Sequence, residues 1–182
     1  GQVARGATSY RAAGPWVPGA SRPPNGVRLL ASIVHSVVLA RRGEVALRQY
    51  IPGAYQAGAV RLSVETDYPW NGHVRVVVTE SPAAAWVLRL RVPGWADGAG
   101  VTVNGEVRGD VDTGWWVIEG IWEQGDIVEI NLPMKPRFSR ADPRVDSLRA
   151  CVALERGPLV SFLWAAANSA APFAAIVLYP PP

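Results

Sequence analysis

The sequence predicts a mainly β protein: an antiparallel β-sandwich preceded by one α-helix, with a partial second β unit at the C-terminus. Three observations predict it. Apolar and polar residues alternate at period two through most of residues 44–133. Turn residues interrupt that alternation about every eight to twelve residues, the spacing of a sandwich. The 16 prolines and 18 glycines among 182 residues are too many for a helical bundle and suit short strands joined by turns.

The elements follow in order. Residues 1–24, rich in Gly, Ala, Arg and Pro, show no period and read as an irregular lead-in. Asn25 offers an N-cap, and Val27, Leu30, Ala31, Val34 and Val38 recur at helical spacing. Residues 26–40 are therefore an amphipathic helix, ended by Arg41-Arg42-Gly43. Val45 to Ile51 is a first strand, closed by Pro52-Gly53. Val60, Leu62, Val64 and Thr66 alternate with polar residues as a half-buried strand. Tyr68-Pro69-Trp70-Asn71-Gly72 is a turn whose Asn-Gly would supply the positive φ angles of a tight hairpin. Val74, Val76 and Val78 form the next strand, then Trp86, Leu88, Leu90 and Val92. Val101-Thr102-Val103 and Glu106-Val107 flank a second Asn-Gly at 104–105. Trp115 to Ile118, Ile127 to Leu132 and Leu148 to Leu154 complete the strands. The domains read as 1–43, a lead-in and helix; 44–133, a sandwich; and 134–182, a partial β domain whose tail at 165–182 has no period.

Composition excludes several function classes. The net charge is only +3, and seventeen arginines and Lys135 are scattered with no run beyond Arg41-Arg42, so no nucleic-acid footprint exists. Cys151 is the single cysteine, which forbids an intrachain disulfide and a thiolate-rich zinc site. Residues 1–14 lack the apolar core of a signal peptide, which favours a cytoplasmic location. The longest apolar stretch, Phe162 to Leu178, is 17 residues broken by Asn168, Ser169 and Pro172, too short and interrupted for a membrane span.

Few residues suggest chemistry. Glu65/Asp67, Glu119/Glu123 and Asp110/Asp112 are the carboxylate pairs to weigh for glycoside hydrolysis, against the plainer reading of solvated surface charge. Trp115-Trp116 with Trp122 could stack on a sugar or pack a core, and strand alternation sends one of the first two inward and the other outward. His35 reads as a helix-face histidine, His73 as an exposed residue after a turn, and Cys151 as a small apolar residue in a strand.

A series of short motifs goes further. Pro23-Pro24-Asn25-Gly26-Val27-Arg28-Leu29-Leu30-Ala31-Ser32, Glu65-Thr66-Asp67-Tyr68-Pro69-Trp70, Leu88-Arg89-Leu90-Arg91-Val92-Pro93-Gly94-Trp95 and Val103-Asn104-Gly105-Glu106 occur in this order. Trp122 to Asp126, Leu132-Pro133-Met134 and Ala153 to Val160 follow. Over residues 15–160 the chain resembles glycoside hydrolase family 127, bacterial β-L-arabinofuranosidases and their relatives. The resemblance implies an (α/α)₆ barrel carrying the active site, followed by β-sandwich domains. Here it covers the last barrel helix, the middle sandwich and part of the final one.

The resemblance also implies where the chemistry lies. The family's catalytic acid/base glutamate and two zinc ligands belong to the upstream barrel. A Cys-Cys pair precedes Pro-Pro-Asn; its first cysteine is the nucleophile, both help hold zinc, and a third stands two residues before. Aligned without gaps, Ser21 and Arg22 take the pair's positions and Gly19 the third. A serine hydroxyl poorly replaces a thiolate as ligand or nucleophile, and arginine stays cationic. The expectation is therefore a C-terminal accessory sandwich portion of a family 127-like enzyme, a piece of a longer or frameshifted gene product, inactive alone and without zinc. The alternative is a non-catalytic carbohydrate-binding or structural sandwich module. An enzyme using unrelated carboxylates is a third reading that no spacing selects. The expected partners are plant-type arabinose-containing glycans, through the full-length family, and a second copy of the chain through the apolar face of helix 26–40; neither nucleic acid nor membrane is expected.

Overall fold

The computed structural model describes residues 22–145 and 152–161. Helix α1 spans Arg22–Val37. Pro23 and Pro24 fit its first turn, where a backbone N–H has no intrahelical acceptor and its loss costs nothing. The helix thus begins before Asn25, which is not its cap, and ends before residue 40. The chain divides into two compact units inside this helix, after Val34. In the first unit Val27, Leu29 and Leu30 are 66%, 63% and 69% exposed. In the second, Val37 is buried and its carbonyl accepts the Arg48 N–H at 2.9 Å.

What reads as the helix end is a hairpin. β1 (Val38–Arg41) pairs antiparallel with β2 (Glu44–Leu47) across Arg42-Gly43, and Gly43 takes φ 70°, the left-handed region glycine tolerates. Val38 therefore belongs to a strand, as its branched side chain favours. Then follow β3 (Gly53–Ala57), β4 (Val60–Thr66), β5 (His73–Glu80), β6 (Trp86–Val92), β7 (Ala99–Val103), β8 (Glu106–Val111), β9 (Gly114–Gly120) and β10 (Ile127–Asn131). One sheet has the order β1-β2-β6-β9 and the other β3-β4-β5-β10-β7-β8.

The two sheets close on a single apolar core. Leu62 and Val64 of β4, Val74, Val76 and Val78 of β5, and Val128 and Ile130 of β10 face Val45 and Leu47 of β2 and Leu88 and Leu90 of β6. Every one of these is at most 3% exposed. Full burial of each contributes about 1.5–3 kcal/mol, so the period-two pattern drives this architecture. One pairing departs from the antiparallel expectation: β2 runs parallel to β6. The chain leaves β2, builds β3, β4 and β5 in the opposite sheet, and returns to lie beside β2, so the connection is a crossover between layers rather than a hairpin.

The two Asn-Gly pairs behave differently. Asn104 and Gly105 have φ 51° and 81° and make the tight β7–β8 hairpin. Asn71-Gly72 does not: the chain turns earlier, with the Trp70 N–H donating to the Asp67 carbonyl at 2.9 Å and a cis Tyr68–Pro69 bond. Gly72 is required for space, since a Cβ there would lie 1.9 Å from the Leu132 carbonyl oxygen.

A third sheet joins β11 (Pro136–Arg140), β12 (Val152–Arg156) and β13 (Leu159–Ser161). Pro136 starts β11, and Gly157-Pro158 is the turn of the β12–β13 hairpin. Arg137 Nε donates to Glu155 Oε2 at 2.7 Å and Ser139 Oγ to Glu155 Oε1 at 2.8 Å; Arg137 first and Ser139 second hold the Glu155 carboxyl below its ordinary value. Gly157, at φ 59°, approaches Met134 and Trp95 so closely that a Cβ would meet Met134 Cε at 2.6 Å.

Candidate functional site

The positions singled out by resemblance are the least informative structurally. Gly19 and Ser21 lie outside the described residues, as do Cys151 and the tail at 165–182. Arg22 is the first residue of α1. His35 is exposed on the last turn of that helix, and His73 is half-exposed at the start of β5, its Nε2 3.5 Å from Glu129 Oε1. Among the described residues no three His, Cys, Asp or Glu side chains gather where a metal could sit. With Arg22 permanently cationic, the donors on view do not fit the zinc of the resembling family.

The carboxylate pairs fare no better as acid and base. Asp110 and Asp112 are exposed around the end of β8, and Glu119 and Glu123 are exposed at and beyond the end of β9. Only Glu65 and Asp67 share a depression, an open groove of about 320 Å³ that also takes His73, Arg75 and Glu129. Arg75 Nε stands 3.8 Å from Glu65 Oε2, and the Glu65 side chain is 61% exposed. A carboxyl that serves as a general acid needs apolar surroundings to keep its proton. Nothing of that kind surrounds Glu65. Sequence reasoning missed Arg75 and Glu129 because the cross-strand pairs Glu65–Arg75 and Glu129–Arg75 appear only once register is known.

The tryptophans separate cleanly. Trp122 is buried in the core: its Nε1 donates to the Trp86 carbonyl at 3.2 Å and the two rings sit 5.6 Å apart. A platform that includes Trp122 is therefore excluded. Trp116 is half-buried against the core, whereas Trp115, 39% exposed, points outward from β9. Trp70 is 71% exposed on the Asp67–Gly72 turn. Tyr50, Tyr68 and Trp95 make a separate aromatic group, with Tyr50–Tyr68 centroids 6.0 Å apart edge to face and Tyr68–Trp95 stacked at 6.4 Å. The Tyr50 hydroxyl donates to the Arg91 carbonyl at 2.7 Å, and burial pushes its phenol far above the ordinary tyrosine value.

The outer face of the four-stranded sheet carries the most structured surface feature. Register places Leu39, Ala46, Arg89 and Val117 in one row across β1, β2, β6 and β9. Ala46 is small, so its longer neighbours wall a groove of about 520 Å³ above it. Arg89 Nη1 donates to Glu44 Oε1 at 2.9 Å, and its guanidinium lies 5.3 Å from the centroid of the Trp115 ring. Arg89 Nε is shielded from solvent and has no hydrogen-bond acceptor.

A two-sheet sandwich followed by a third small sheet is an all-β architecture shared by proteins of many functions. Comparison with known proteins is more specific. Residues 44–134 match the family described as "Beta-L-arabinofuranosidase, GH127 middle domain". A non-reducing end beta-L-arabinofuranosidase of Bifidobacterium longum subsp. longum is 35% identical over 156 residues, covering 80% of this chain and 23% of that protein. Ara127N-Se, a GH127 beta-L-arabinofuranosidase from Geobacillus stearothermophilus T6, superposes with a TM-score of 0.69 at 37% identity over 80% of this chain and 24% of its own. A second solved GH127 beta-arabinofuranosidase gives 0.70 at 30% identity over 80% of this chain and 26% of its own. The chain belongs to glycoside hydrolase family 127. It spans about a quarter of the length of these relatives.

Proposed function

We propose that this chain is the accessory β-sandwich portion of a β-L-arabinofuranosidase-like glycoside hydrolase and does not hydrolyse glycosides by itself. The observation that carries the reading is the family match itself, which falls on the middle domain, residues 44–134. The arabinofuranosidase activity named for the relatives belongs to chains of which this one matches 23–26%. On this reading residues 1–43 include the last helix of a barrel, 44–133 are the middle sandwich, and 134–182 are part of a final β domain. The arabinose-containing glycans that the family resemblance suggests would be reached through the barrel.

The donor chemistry supports inactivity in isolation. Gly19, Ser21 and Arg22 stand where the family resemblance expects cysteines, and none supplies a thiolate. No exposed carboxylate pair replaces it, for want of an apolar environment around either member. The test is direct. Purified chain, free of host glycosidases, is incubated with an aryl β-L-arabinofuranoside with and without added zinc, and zinc retained after dialysis is measured by elemental analysis. The expected result is release no faster than in buffer and less than one equivalent of metal. Turnover above the blank would overturn the reading.

A further inference from the structure

We propose that the groove above Ala46 on the outer face of the four-stranded sheet is a binding subsite for an acidic saccharide, one carrying a uronic acid carboxylate. The choice of a sugar over another anion rests on the family reading above; the charge preference does not. Three arginines, Arg41, Arg48 and Arg89, line the groove with a single carboxylate, Glu44. Glu44 is committed to Arg89. Among the described residues Arg41 and Arg48 have no carboxylate partner, so two planar, permanently charged forks are free to grip a carboxylate.

The other half of the site is apolar and flat. Trp115 lines the same groove, held in orientation by the Arg89 guanidinium over its ring, and leaves over a third of its surface exposed. An indole face of this kind suits the C–H face of a sugar ring, and amphipathic aromatics at surfaces serve that purpose. A volume of about 520 Å³ lies in the range that holds a small ligand and is far from the long basic track a nucleic acid needs.

The experiment titrates the full chain by calorimetry with a galacturonic acid trimer, the corresponding neutral galactose trimer and a short single-stranded oligonucleotide. The acidic trimer should bind at least about tenfold more tightly than the neutral one, the loss expected for one charge-assisted hydrogen-bonded contact. Added salt should weaken it. Arg48→Ala, on an exposed residue just after β2, should lower affinity by about tenfold, and Trp115→Ala should lower it for acidic and neutral trimers alike. Glu44→Gln, which removes the one repelling carboxylate, should tighten the acidic trimer, an effect no merely structural role produces. Thermal melts establish that each variant is folded; should Trp115→Ala fail to fold, Arg48→Ala and Glu44→Gln decide. Equal binding of the two trimers, unchanged binding in Arg48→Ala, or tighter binding of the oligonucleotide would each overturn the proposal. The hydrolysis assay is unaffected by any of these outcomes, so the two readings fail separately.

Discussion

Replacing Gly72 by alanine tests whether space, rather than turn conformation, dictates that glycine. An added Cβ would lie 1.9 Å from the Leu132 carbonyl oxygen, 3.0 Å from its carbonyl carbon and 3.2 Å from Met134 Cγ. The first two are backbone atoms, so no rotamer change relieves the overlap and the end of β10 must move away from β5. That movement breaks the bond from the Leu132 N–H to the Gly72 carbonyl, now 2.9 Å, and partly uncovers a Leu132 side chain only 1% exposed. A lost backbone hydrogen bond costs about 1 kcal/mol and an uncovered leucine up to about 2, together roughly 3 kcal/mol. For a chain of this size that is a fall in Tm of about 6–12 °C. Thermal unfolding followed by near-ultraviolet circular dichroism measures it. Gly100→Ala is the control, because nothing stands within 4 Å of its added Cβ. A Gly72→Ala protein within about 0.5 kcal/mol of that control, the usual spread of harmless surface changes, would refute the steric argument.

Two further outcomes follow from the aromatic group and the helix. The Tyr50 phenol is raised by burial first and by Tyr68 second, so the native state holds its proton where the unfolded chain releases it. The stability this represents is intact below the ordinary tyrosine value of 10.0 and is lost as pH climbs beyond it; urea midpoints should decline more steeply above about pH 10 in the native sequence than in Tyr50→Phe. In α1, the 63–69% exposure of Val27, Leu29 and Leu30 leaves a 16-residue helix short of the tertiary packing it needs. Amides of residues 25–33 should exchange with deuterium far faster than those of β5 and β10 in dilute protein, and more slowly as concentration rises if a second copy covers the face; protection equal to the sandwich strands in a strictly monomeric sample would contradict this.

The sequence made the core strands legible because their signal is local. Val74, Val76 and Val78 are wholly buried, as alternation requires, and Asn104-Gly105 turns as that dipeptide prefers. What was illegible depends on partners far along the chain. Arg41-Arg42-Gly43 has the composition of a helix C-terminus, and only the pairing of Val38 with Leu47 makes it a hairpin. Gly72 looks like a turn glycine until Leu132, sixty residues later, is placed beside it. Trp122 and Trp115 are indistinguishable by residue type, yet one donates to a backbone carbonyl inside the core and the other lines a groove.

The same distinction governs what the surface can do. A catalytic centre in an enzyme of this kind needs a thiolate or a carboxyl tuned by burial, and such tuning requires low-dielectric surroundings. The described part of this chain reserves its low-dielectric interior for alanine, valine, leucine, isoleucine and aromatic side chains; among the described residues no polar or charged residue is buried. Its charges are set on the outer faces, where pairs such as Arg61–Glu80 and Arg89–Glu44 stand in solvent-accessible positions. Surface guanidiniums can select a ligand by charge when an aromatic ring fixes one face of it. The groove beside Trp115 combines those two features on rigid strands.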